Sequence, residues 1–170
     1  AIAEAGRRAG AFALAPGSAD AALLMTLTPG SYTAHVTPAS AAAAPGVALV
    51  ELYDLDAPPG AQLVNLSTRA RAGAGMATLI AGYVYAGDGG SRVLVRAAGP
   101  ALGAFGVAGA LADPRLEVFQ NGASLAYNDD WQGNPNPAQL GFVARQSGAF
   151  EFAAGARDAA LLLPRAAGAY

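Results

Sequence analysis

Apolar residues in this chain come in short runs, each closed by Gly, Pro, Asn or Asp. The runs predict strands at 11–15, 22–27, 32–36, 47–53, 62–66, 77–85, 92–97, 115–120, 123–127, 149–152 and 159–163, of ordinary strand length. Alternation is clean in places. Tyr32, Ala34 and Val36 share one face, with Ser31, Thr33 and His35 on the other, and Val93 and Val95 oppose Arg92 and Arg96. Such strands have one wet face, whereas Val47-Ala48-Leu49-Val50 is apolar on both and suits a covered, central position. Asn121-Gly122 tolerates the positive φ angles of a type I′ turn and predicts a hairpin between 116–119 and 124–127. The run from Gly87 to Gly90 is expected to join 79–85 to 93–95, and Pro29-Gly30 to join 23–27 to 32–36. Helix is sparse, because Gly and Pro interrupt the Ala-rich stretches; 100–106 and 137–144 have room for a turn or two. The pattern predicts an all-β fold, an antiparallel two-sheet β-sandwich of jelly-roll or immunoglobulin-like type with short helical turns.

The sequence also repeats itself. Arg7–Phe12 returns as Arg145–Phe150, Asp20–Leu24 as Asp158–Leu162, and Gly30-Ser31-Tyr32 as Gly168-Ala169-Tyr170, always at an offset of 138 and without a gap. Residues 1–32 and 139–170 are identical at 13 of 32 positions, well above chance even in an Ala-rich chain.

Composition narrows the function classes. The 170 residues suit about one domain, with 54% hydrophobic and 13% charged residues, so disorder driven by charge is excluded. All ten basic residues are Arg, and the net charge of −2 leaves no electrostatic footprint for nucleic acid. The absence of cysteine removes disulfides, thiolate metal sites and thiol nucleophiles. No apolar run is long enough to span a membrane. Ala1-Ile2-Ala3-Glu4 does not read as a signal peptide, as is also expected of a mature secreted chain.

Several segments together resemble a repeat of large secreted bacterial surface proteins. They are 63–71 (LVNLSTRAR), 79–84, 93–100 (VLVRAAGP), 105–114 (FGVAGALADP), 128–131 (NDDW), 29–34 (PGSYTA) and 46–55 (GVALVELYDL). The later half is also similar to bacterial pre-peptidase C-terminal domains. The resemblance covers most of the chain and implies an extracellular, non-enzymatic β-sandwich module used in tandem. In such proteins the natural unit begins near Gln62 and ends near the next copy's equivalent of Asp56. The chain is then expected to hold the C-terminal half of one unit (1–56), a boundary (57–60) and the N-terminal part of the next (61–170).

An incomplete sandwich exposes strand edges and core side chains. Two ways of filling the gap are expected: 1–56 folding back on 61–138, or strand addition between copies, which does not close and generates a filament. The function expected is a structural subunit of an extracellular filament or sheath, assembling head-to-tail with copies of itself. The alternative is a surface adhesion or carbohydrate-binding repeat module. Interface residues expected are Phe12, Leu23, Leu24, Tyr32, Val47, Leu49, Val50, Leu52, Tyr53, Phe150, Phe152, Leu161, Leu162 and Tyr170.

Polar clusters offer little catalytic chemistry. Asn128, Asp129 and Asp130 could ligate Ca²⁺, although the spaced pattern of a dedicated calcium loop is missing and Asn and Asp also form turns. Trp131 reads as a packing anchor before a glycan platform, and Asp20 and Asp158 as caps or turn formers. His35 is the single histidine. Gly73-Ala74-Gly75 and Gly87–Gly90 lack the Lys and following helix of a phosphate loop. Arg69, Arg71, Arg92 and Arg96 read as a solvated sheet face. No enzymatic role is expected.

Overall fold

The computed structural model describes residues 1–40, 46–55, 63–85, 91–165 and 168–169, and divides the chain into two compact units, 1–66 and 67–170.

In the first unit, helix α1 (Ile2–Ala9) places Glu4 in its first turn and Arg7 and Arg8 in its last, each sign suited to the helix dipole. Arg7 Nε donates to Glu4 Oε2 at 3.0 Å. Gly10, at φ 78°, ends the helix in the left-handed conformation that glycine adopts without strain. The rest of the described unit runs without a ladder partner. The tyrosines are tied locally, Tyr32 Oη donating to Thr28 O at 2.6 Å and Tyr53 Oη to Glu51 Oε1 at 3.0 Å.

The second unit carries the described β-structure as three two-stranded antiparallel sheets: β1 (Val84–Tyr85) with β6 (Gly168–Ala169), β2 (Ser91–Ala97) with β5 (Ala159–Arg165), and β3 (Leu116–Gln120) with β4 (Ala123–Asn128). Asn121 and Gly122 both take positive φ, 51° and 78°, as a type I′ turn requires. The β3–β4 register slips between Val118 and Phe119. A 3₁₀ turn over Pro100–Phe105 ends at left-handed Gly106. Helix α2 (Pro137–Gln146) starts at Asn136, whose Oδ1 accepts from Gln139 N at 3.0 Å, and has proline in its first turn. It buries Leu140 and Ala144, one turn apart on one face. Leu140, Phe152 and Ala160 form the core, with Leu94, Ala98, Ala101 and Trp131 packed against them.

The molecule is therefore mostly β in its regular structure, with small sheets. Of the expected strands, 92–97, 115–120, 123–127 and 159–163 form ladders, and only 84–85 of 77–85 does, with a 3₁₀ turn at Gly75–Ala77. Segments 11–15, 22–27, 32–36, 47–53, 63–66 and 149–152 make no ladder among the described residues. The expected hairpin between 79–85 and 93–95 is corrected: β2 pairs with β5 instead, in the register Leu94 opposite Leu162 and Val95 opposite Leu161. Gln62, the boundary 57–60 and the turn 87–90 lie outside the described residues.

Candidate assembly site

The chemistry of the second unit gathers where β2 runs into Gly99-Pro100-Ala101. These residues open the 3₁₀ turn, and a helical start leaves backbone N–H groups without partners. Pro100 has none to satisfy, and Asp158 supplies the rest: its Oδ1 accepts from Gly99 N at 2.7 Å and from Ala101 N at 3.1 Å. The carboxylate is completely buried, and its Oδ2 has no hydrogen-bond partner among the described residues. Gly99 is dictated by space, since a Cβ there would lie 2.1 Å from Leu111 O.

The backbone around Asp158 is gripped from the other side. Trp131 N donates to Asp158 O at 2.8 Å, and Ala160 N donates to Asn128 Oδ1 at 2.9 Å. Asn134 Nδ2 donates to Trp131 O at 2.7 Å and to Ala160 O at 3.0 Å. Trp131 Nε1 donates to Ala153 O at 3.2 Å, while its ring is tilted against Phe152 with centroids 6.4 Å apart.

Arg96 completes the site. Its guanidinium carbon sits 3.9 Å from the centre of the Phe152 ring and 4.6 Å from that of Phe150, and Nη2 donates to Phe150 O at 2.6 Å. Burial lowers the pKa of this guanidinium from its ordinary value, and the charge of Asp158 opposes that shift. The expectation of Arg96 on a wet sheet face is thus corrected. The 150–152 segment covers that face, and its rings accept the cation.

The two copies of the repeat can now be compared atom by atom. Ala149 N donates to Ala144 O at 2.9 Å, and Ala11 N to Gly6 O at 2.9 Å. Gly148 N donates to Arg145 O and Gly10 N to Arg7 O; Ala156 N donates to Ala153 O and Ser18 N to Ala15 O. Gly148 and Gly155 have φ of 73° and 75°, against 78° at both Gly10 and Gly17. Every one of these pairs is separated by 138. The turns at 10–18 and 148–156 are therefore alike in these hydrogen bonds and glycine conformations, while 159–165 is a strand and 21–27 is not. The surroundings are opposite: Leu161 is 6% exposed and Leu23 85%, and Asp158 is buried whereas Asp20 is exposed.

The expected interface residues separate accordingly. Phe12, Leu23, Leu24, Tyr32, Val47, Leu49, Val50, Leu52 and Tyr53 are exposed. Phe150 is exposed at the edge of the Arg96 site, Phe152 is buried within it, Leu161 on β5 is buried opposite Val95, Leu162 is half-buried, and Tyr170 lies outside the described residues. At 128–130, Asn128 commits both ends of its amide, with Nδ2 donating to Asp130 O at 2.7 Å, while the side chains of Asp129 and Asp130 face solvent. Among the described residues no three His, Cys, Asp or Glu side chains gather as a metal site, and no helix is long and apolar enough to cross a membrane. A cleft beside Asn134, Asn136, Gln139 and Leu162 holds about 180 Å³, less than ligand pockets usually offer. Sequence reasoning missed Gly99, Arg96 and Asn134. The Gly-Pro step after an apolar strand was the available signal for the first; the others act through contacts between distant segments.

Compared with protein-family models, curated proteins and solved structures, the chain matches none.

Proposed function

We propose that the chain is a structural, non-enzymatic module that completes a two-sheet β-sandwich by strand complementation between copies. Repeated head-to-tail, this builds a filament or sheath at the bacterial cell surface or in the matrix outside it. One observation carries the reading: the same sequence stands in two states, sealed in a core at 158–162 and open at 20–24. An apolar strand with the side chains of a core and no cover is a site for strand addition. Val47, Leu49, Val50 and Leu52 add a second uncovered stretch. Burial of each such side chain contributes roughly 1.5–3 kcal/mol, and repetition along a fibre multiplies it.

The adhesion reading draws on Trp131 and its loop. The indole is already occupied by Phe152 and Ala153, which leaves that reading with less support.

Electron microscopy and sedimentation of the full chain test the proposal. Fibres or a concentration-dependent series of oligomers are expected. Discrete single particles at all concentrations would overturn it.

A further inference from the structure

The chain carries two copies of one donor segment and, among its described residues, one acceptor for it. The acceptor is β2 with the Gly99 and Ala101 amides, flanked by Arg96, Asn128, Trp131 and Asn134, and the resident donor is 148–165. We propose that residues 10–27 are a spare donor whose ligand is this same acceptor on another molecule of the chain, in the register Leu23 opposite Val95. The inference rests on the strand-complementation reading and specifies which segment meets which.

Most contacts of the resident donor have a counterpart ready in the spare one; the ion pairs of Arg157 with Asp113 and of Glu151 with Arg145 have none, since Ala19 and Ala13 stand at the matching positions. Asp20 replaces Asp158 at the two amides. The grips of Trp131, Asn128 and Asn134 fall on the backbone of residues 158 and 160, which Asp20 and Ala22 supply equally. Arg96 Nη2 reads the carbonyl of Phe150, matched by Phe12, and the Phe12 ring can take the guanidinium as Phe150 does. Side chains facing β2 are conserved or of like size: Ala21, Ala22, Leu23 and Leu24 are identical to 159–162, and Met25 stands for Leu163. Leu14 in place of Phe152 removes one ring from the cation. Thr26, opposite Arg92 in this register, brings an N–H where Pro164 has none. The spare segment also holds the donor's turn geometry before it docks, with both left-handed glycines and the three matching backbone hydrogen bonds already formed. Docking therefore demands less ordering than a formless segment would need.

The resident donor competes for the acceptor at an effective concentration on the order of millimolar. The spare segment of another molecule wins when the resident is weakened or when the chain is equally concentrated.

The chain has no cysteine, so register is readable by disulfide capture. One molecule carries Leu23→Cys. A second carries Val95→Cys with Asp158→Ala and Asp20→Ala, which weaken both of its own donors. Mild oxidation of the mixture is expected to give a mixed 23–95 dimer. Adding Asp20→Ala to the first molecule should cut the yield about tenfold, the loss expected for a charge-assisted hydrogen bond to backbone amides. Moving the second cysteine to Val93→Cys should cut it similarly. Equal yields in the three mixtures, or no dimer while the second molecule retains its circular dichroism, would overturn the proposal. Should Asp158→Ala unfold the second molecule, Leu23→Cys and Val95→Cys chains without other substitutions decide it at about 1 mM, where the spare donor rivals the resident; absence of the link there also overturns it. Fibres without the 23–95 link would sink this donor and leave assembly standing, whereas the link without fibres would do the reverse.

Discussion

Asp158 and Asp20 are one residue type in one sequence context with two surroundings. Replacing Asp158 by Ala strips the cap from two N–H groups, Gly99 buried and Ala101 partly so, and should destabilise the second unit by about 3 kcal/mol. Asp20→Ala should change the stability of the monomeric chain by less than about 0.5 kcal/mol, as exposed substitutions do. Urea denaturation of the two variants checks the contrast, and equal losses would contradict it. Gly99→Ala is steric rather than electrostatic, because Leu111 O belongs to backbone that cannot rotate away. A loss of about 3–5 kcal/mol is expected in the same measurement. The capping role of Asp158 was legible in sequence because a short carboxylate before a strand has few other uses. Arg96 was not. Alternation says which face of a strand a side chain takes, and only the Phe150–Phe152 segment, more than fifty residues away, decides whether that face is wet.

Elements defined by their own residues were readable, and those that need a distant partner were readable only as candidates. The β3–β4 hairpin follows from Asn121-Gly122 alone. Gly122→Ala should cost about 1–2 kcal/mol, since a Cβ at φ 78° is strained even where space is open, and thermal unfolding followed by circular dichroism would register it. By the same logic 32–36 and 47–53 alternate or run apolar as strands do, yet make no ladder among the described residues. A strand is a pairing, and sequence pattern supplies one side of it. Helix α1 escaped notice because Ala and Gly blur its apolar stripe. Its signals were the acidic first turn, the basic last turn and the glycine after it. The repeat also pointed there, since α1 and α2 overlap at the offset of 138.

For the whole molecule, the decisive contrast is between apolar residues that hold a unit together and apolar residues that have nothing to hold. Leu161 belongs to the first kind and Leu49 to the second. A charge at Leu161 enters a buried position on β5 opposite Val95, where an unpaired carboxylate is costly, so Leu161→Asp should unfold the second unit. A charge at Leu49 meets water in the monomer and costs little there. If the 47–53 segment is covered only on assembly, Leu49→Asp leaves the denaturation midpoint unchanged and raises the concentration needed for assembly at least about tenfold, the effect of losing one buried leucine. Sedimentation velocity across a concentration series measures the second quantity and urea denaturation the first. A lowered midpoint with normal assembly would place Leu49 inside the monomer's own fold and remove it from the interface. A loss of assembly with the midpoint intact separates the two kinds of apolar residue by function, because the same change of side chain then breaks the unit at one position and only the contacts between units at the other.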